Sequence, residues 1–257
     1  MTTKNTGDIP SLQISGAVAT IQFNRPEVHN RFQVADLTQV CDLIAQVNND
    51  LSIRVLIFTG TGPTFSSGFD LREFNGSGLT AEASFEALTD AVEFARPITI
   101  ARLQGPVYGG ATDLVLACDF KIAVNHTVMF MPAAKIGLHY YPNGIKRWQS
   151  RLGLQTAKRL FLTAEKIDGA EMLRVGFIDE LVPADQLDAR VNNRTQQLLS
   201  MAPQALEDMK QSLNECARGE FDHARFQVRH ESSQASKDMT EALAAIAEKR
   251  TPVFTRT

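Results

Sequence analysis

The amino-acid sequence predicts an α/β fold in which strand–strand–helix units stack on one another and a helical region follows. Three observations predict it. Apolar residues switch along the chain between strand-like runs or alternation and recurrence at helical spacing. The strand–strand–helix order returns around residues 12–47, 55–95 and 98–118, and a right-handed stack of such units buries a shared core. Strand signals come first and helical ones last, so we expect a spiral core domain over residues 1–185 and a helical region over 186–257.

Residues 1–10 read as a loose leader. Leu12–Ile14 and Val18–Phe23 flank Ser15-Gly16 and suggest a hairpin. From Phe32 to Val47, Leu37, Val40, Leu43, Ile44 and Val47 fall at helical spacing. Val55–Phe58 is a short apolar strand that ends at Thr59-Gly60-Thr61-Gly62-Pro63, a turn signal. A helix follows at Ala81–Ala95, Pro97 breaks it, and Ile98–Ala101 starts the next strand. Thr112–Cys118 reads as a buried helix, and Asp119–Val124 and Val128–Met131 as strands. The chain is then irregular through Gly144. Helices are expected at Lys146–Arg151, Leu154–Leu162, Gly169–Val175, Asp185–Met201 and Pro203–Ala217, and one long helical segment at Phe221–Lys249.

Bulk properties exclude several classes. With 257 residues, 44% of them hydrophobic, the chain can bury a large core. A net charge of −3 gives no overall electrostatic footprint for nucleic acid. Cys41, Cys118 and Cys216 show neither disulfide nor metal-ligand spacing and read as small buried hydrophobes. No run reaches the roughly 18 apolar residues of a membrane span, and the polar start MTTKNTGDIPS lacks a signal-peptide core. We expect a soluble cytoplasmic protein with no metal site and no membrane or nucleic-acid partner.

Two segments carry chemistry. Phe65-Ser66-Ser67-Gly68-Phe69-Asp70-Leu71 follows a strand and a turn, and its small residues let a ligand approach the backbone. Taken alone it also suits a plain strand-to-helix connection with Asp70 as a cap. Leu103–Asp113 runs strand, glycine pair, helix, a layout that points free N–H groups at an anion or simply allows tight packing. It is not a G-x-G-x-x-G dinucleotide motif. Together, two loops that each present one backbone N–H make an oxyanion hole for a carbonyl oxygen that gains negative charge.

The blocks Asn24–Asn30, Phe65–Phe74, Gln104–Phe120, Phe130–Gly137, Leu160–Thr163 and Ala170–Pro183, in this order and spacing, resemble the crotonase (enoyl-CoA hydratase/isomerase) superfamily over residues 12–250. The resemblance implies a crotonase-like ββα superhelix with a C-terminal helical trimerisation region. It further implies a homotrimer or hexamer and an acyl-CoA thioester substrate, with coenzyme A entering as part of the substrate and no other cofactor. Phe69 and Gly110 then supply the oxyanion-hole N–H groups. Val28, Ser66, Ser67 and Gly68 line the coenzyme A path. Lys249 stands where many members offer a basic side chain to the phosphates, or is a solvated helix end; the aromatic residue often found three positions earlier is Ile246 here.

The sequence departs from the two-glutamate hydratase pattern. The first glutamate position is Asp113 and the second is Ala133, which cannot transfer a proton. Asp113 suits a general base raised by an apolar pocket or a first-turn carboxylate favoured by the helix dipole. Asp113 is also the type that dienoyl-CoA isomerases carry there, but their other carboxylates are Ala133 and Tyr141 here. Tyr140 resembles the tyrosine of methylmalonyl-CoA decarboxylase-like members, and Tyr141 falls at the nucleophilic Asp of the dehalogenase-like ones. His139 is a candidate acid or base. We therefore expect an acyl-CoA-processing lyase or isomerase of fatty-acid type, decarboxylase-like in its catalytic equipment. The alternatives are a β-diketone or thioester hydrolase of the same fold and a catalytically silent acyl-CoA binder.

Overall fold

The computed structural model describes residues 9–73 and 79–256, for 79–84 the backbone only. The leader up to residue 8 and Phe74 lie outside the described residues. The chain forms two compact units, one up to Asn192 and one from Asn193 onward.

The first unit begins with the expected hairpin, β1 (Ser11–Ser15) and β2 (Val18–Phe23), paired antiparallel so that Ser15 faces Val18. Gly16 at φ 57° makes the tight turn without a Cβ penalty. The next strands are β3 (Val55–Gly60) and β4 (Ile98–Leu103), followed by β5 (Val107–Tyr108), β6 (Phe120–Val124), β7 (Val128–Phe130), β8 (Lys166–Asp168) and β9 (Glu180–Val182). A six-stranded sheet runs β1-β2-β3-β4-β6-β9, parallel from β2 onward. A second sheet holds β5-β7-β8, and parallel bridges Phe32–Phe69 and Ser66–Val107 extend it across earlier turns of the spiral. Each repeat thus contributes one rung to each layer.

The helices of this unit are α1 (Val34–Asn49), α2 (Leu79–Glu93), α3 (Ala111–Ala117), α4 (Pro142–Leu152), α5 (Leu154–Thr163) and α6 (Gly169–Arg174); α7 (Leu187–Leu199) crosses the unit boundary. Helix α1 starts two residues later than its periodicity suggests. Phe32 is taken by the second sheet, where its N–H donates to Gly68 O (2.8 Å) and its carbonyl accepts from the Asp70 N–H (2.8 Å). Helix α4 starts earlier than expected. Pro142 is tolerated in the first turn, where its missing N–H is no loss, and Glu86 Oε1 accepts from the Asn143 N–H (2.9 Å). The short strands β5, β8 and β9 were not expected, because two or three residues carry no alternation to read.

The second unit holds α8 (Pro203–Arg218), α9 (His223–Gln234) and α10 (Lys237–Glu248). The single helix expected over Phe221–Lys249 is therefore two. The Ser236 side chain accepts from the Met239 N–H (3.0 Å) and caps α10, competing with helix continuation. Arg229 donates to Glu215 (2.6 Å) and ties α9 to α8. Of the cysteines, Cys118 is buried and Cys41 half-buried, whereas Cys216 is exposed on α8. No described helix is long and apolar enough to cross a membrane.

Candidate active site

The second sheet brings the two loops side by side. The Phe65 N–H donates to Pro106 O, the Tyr108 N–H to Ser66 O and the Gly109 N–H to Phe130 O, each at 2.9 Å. The Ser67 N–H is taken by His29 O (2.8 Å), and the Gly68 N–H by Ser66 Oγ (3.1 Å). Among the described residues, the backbone N–H groups of Phe69 and Gly110 find no acceptor. Gly68 fixes their spacing. It sits at φ +83°, and a Cβ there would lie 2.8 Å from Tyr108 O and 2.9 Å from Gly110 N. Gly110 is equally constrained, since a Cβ would come within 2.8 Å of the Phe85 ring.

A cavity of about 120 Å³ opens beside these groups, lined by Phe69, Gly110, Phe85, Ala133, Tyr140 and Tyr141 among others. Its wall is mostly apolar. Ala133, buried in a short 3-10 turn, faces it with a methyl group in place of a carboxylate.

Behind the tyrosines lies a buried polar network. Tyr140 and Tyr141 stack with ring centroids 4.2 Å apart, and their hydroxyls are 3.0 Å apart. Gly144 permits this, because a Cβ there would lie 2.4 Å from the Tyr140 ring and 2.6 Å from that of Tyr141. The Tyr141 hydroxyl donates to Asp113 Oδ2 (2.7 Å), which also accepts from Arg147 (2.5 Å). Arg147 continues to Asp90 (2.7 Å) and Glu93 (3.0 Å), and Arg151 also reaches Glu93 (3.0 Å).

Burial sets the electrostatics. It pushes the Asp113 carboxyl up, against the pull of Arg147 and the Tyr141 hydrogen bond. Burial and the nearby Asp113 charge push the Tyr141 phenol well above its usual range. At Arg147 burial opposes the charge, but Asp113 and Glu93 outweigh it and the guanidinium is held charged. At Glu93 burial again opposes the charge, and Arg147 with Arg151 carries the carboxyl below its usual value.

The structure thus gathers Phe69, Gly110, Ser67, Tyr140 and Tyr141 on one cavity. Asp113 does not line it. The carboxyl is fully buried behind Tyr141, one side chain removed. His139 lines a neighbouring groove with Lys158 and Phe161 instead, and its Nδ1 is paired with Tyr140 O (2.9 Å). Ser66 is spent internally, donating to Asn30 O (2.8 Å). Val28 closes a short 3-10 turn whose carbonyl lies 3.4 Å from Ser67 Oγ. Lys249 caps α10 in a left-handed conformation (φ 55°) and is exposed, in the second unit. Arg147 went unnoticed in the sequence. A lone arginine in a polar helix reads as solvated, and only the fold reveals that its side chain has no exposure.

Comparison with known proteins identifies the family. The family model for enoyl-CoA hydratase/isomerase matches residues 13–257. An enoyl-CoA isomerase/hydratase of Mycosarcoma maydis is 30% identical over 95% of this chain and 94% of its own. A probable enoyl-CoA hydratase of Mycobacterium bovis is 29% identical over 93% and 94%. The crystal structure of an enoyl-CoA hydratase from Bacillus anthracis superposes with a TM-score of 0.90 at 26% identity, covering 97% of this chain and 100% of that one. The chain belongs to the enoyl-CoA hydratase/isomerase family of the crotonase superfamily.

Proposed function

We propose that the cavity takes the acyl end of a coenzyme A thioester and holds its carbonyl oxygen between the N–H groups of Phe69 and Gly110. One observation carries this reading: two adjacent backbone donors, unused by the described residues, stand at the edge of an apolar cavity. Donors fixed in this way stabilise an enolate as charge moves onto oxygen, and each is typically worth about 3–4 kcal/mol of barrier.

Ala133 directs the reaction class. Hydration asks for a second carboxylate to manage water, and the cavity wall has a methyl there. Isomerisation or carbon–carbon lysis, including decarboxylation, needs only the enolate and one proton-transfer group, a role we give to the tyrosine pair that lines the cavity. The hydrolase alternative gains little support, since His139 faces another groove and is not hydrogen-bonded to Asp113. Exposed Leu213 (69%) and Val228 (68%) on the second unit suit burial against further copies, in keeping with a homotrimer or hexamer.

A thermal-shift and calorimetry panel of acyl-CoA thioesters, with free coenzyme A as reference, tests the reading. Saturable binding of a thioester, tighter than coenzyme A alone, is the expected result. Turnover of a β-diketone with no thioester binding would favour the hydrolase instead, and thioester binding without turnover the silent binder.

A further inference from the structure

Given an acyl thioester held as proposed above, we infer that Tyr140, Tyr141 and Asp113 form a one-proton relay. Tyr140 takes the substrate's α-proton, Asp113 stores a proton out of reach of the cavity, and Arg147 is the positioning residue that fixes Asp113.

Counting hydrogens gives the direction. An ionised carboxylate has no proton to give, so Tyr141 is the donor in its 2.7 Å bond to Asp113. A phenol has one hydrogen. The 3.0 Å link between the two hydroxyls must therefore be donated by Tyr140. Both tyrosines line the cavity, yet the hydrogen of each is committed inward, toward Asp113. With Asp113 ionised, what Tyr140 offers a bound ligand is an oxygen lone pair. The chain starts out as a base.

The step balances. The α-carbon–hydrogen bond breaks, and its electron pair becomes the enolate, with negative charge on the oxygen facing the Phe69 and Gly110 N–H groups. The α-proton goes to the Tyr140 oxygen, the Tyr140 proton to Tyr141 and the Tyr141 proton to Asp113 Oδ2. Neither phenol becomes a phenolate, which matters because burial makes a free Tyr141 phenolate costly. Reversing the sequence returns one proton to carbon, at the same position or, in a conjugated enolate, at another.

Charge explains why Asp113 can end the chain. The groups facing it are Tyr141, Arg147 from α4, and Thr89 and Glu93 from α2. Arg147 also bonds Asp90, and Arg151 bonds Glu93. Burial and Glu93 favour the protonated Asp113 carboxyl, while Arg147 favours the ionised one, so the site is built to hold Asp113 in either form. Arg147 holds the Asp113 oxygen that receives the Tyr141 bond, so it sets the relay's endpoint while touching nothing in the cavity.

The test is exchange of the α-protons of butyryl-CoA in deuterium oxide, followed by NMR, beside calorimetric binding of the same thioester. Tyr141→Phe keeps the Asp113–Arg147 pair and breaks the chain. Its exchange should fall at least about 100-fold with butyryl-CoA affinity near that of the native protein. The native rate should decline toward acid pH as Asp113 takes a proton, and Asp113→Asn, which leaves the chain no carboxylate to end on, should cut exchange as far as Tyr141→Phe does and leave any residual rate without that acid limb. Arg147→Lys, a looser point charge, should move the limb to higher pH, which a purely structural role would not do. Circular dichroism identifies any variant that fails to fold, and Tyr141→Phe, which deletes a single hydroxyl, decides if the charge variants do. Native-rate exchange in folded Tyr141→Phe overturns the relay and leaves the thioester reading standing. Butyryl-CoA bound without any exchange in the native protein also overturns the relay. Absence of all acyl-CoA binding overturns the reading and the relay with it.

Discussion

Tyr141, on the cavity wall, donates a 2.7 Å hydrogen bond to Asp113, which is fully buried behind it. This relationship sets Asp113, which the resemblance aligns with a hydratase's first glutamate, one side chain away from the cavity and puts a phenol in front of it. The consequences differ for the backbone donors, the cavity wall, the buried charges and the surface.

Gly68 is the spacer between the two backbone donors. Gly68→Ala places a Cβ 2.8 Å from Tyr108 O in a backbone region that L residues avoid. We expect a destabilisation of about 1–3 kcal/mol, read as a lower thermal midpoint, and a loss of turnover larger than the loss of thioester affinity. Native turnover would show that donor spacing does not matter.

Ala133, on the cavity wall, stands where the resemblance expects a hydratase's second glutamate. Ala133→Glu should raise crotonyl-CoA hydration by at least about tenfold, measured by loss of enoyl absorbance. Its activity should rise with pH later than an exposed glutamate would, because the apolar wall favours the neutral acid. No gain, with fold and thioester binding intact, would count against the methyl group of Ala133 as what sets the reaction class.

Arg147 is buried with its side chain at zero exposure. Arg147→Met removes the cationic partner of buried Asp113 and one of the two that Glu93 has, Arg151 remaining. The expected cost is about 3–5 kcal/mol, measured by denaturant unfolding. The double variant Arg147→Met with Asp113→Asn should recover part of it. A single variant as stable as the native protein would mean that the network is solvated.

Glu171 tests acid stability away from the site. Hydrogen bonds from Arg174 and Arg159 hold its carboxyl at about 2, from an ordinary 4.5. A lowered folded value contributes stability above 4.5 that is lost as pH falls toward 2. Asp113 has the opposite sign, since burial raises it and its ionisation costs stability. The gap in thermal midpoint between the native protein and Glu171→Gln should therefore be present at neutral pH and close on acidification through that window. A gap independent of pH would place the effect in packing.

The spiral was legible because its long elements carry their own periodicity. Strands β2, β3 and β4 and helix α1 are apolar on the faces that become buried. The loops at Phe69 and Gly110 were legible because glycine and small residues follow a strand in both. What stayed hidden depends on partners far away in sequence. The link from Tyr141 to Asp113 spans 28 positions and that from Arg147 to Glu93 spans 54. No local pattern marks either one. The start of α1 and the break between α9 and α10 were missed for a related reason: a sheet claims Phe32 and a side-chain cap claims Ser236, and both compete with a helical pattern that continues past them.

The central claim is that the Phe69 and Gly110 N–H groups receive a thioester oxygen. A crystal structure with a non-reactive acyl-CoA analogue measures this directly. The account expects the acyl oxygen at about 2.7–3.1 Å from both backbone nitrogens, with Tyr140 beside the α-carbon. An analogue bound elsewhere, or one whose carbonyl oxygen reaches neither nitrogen, would contradict it.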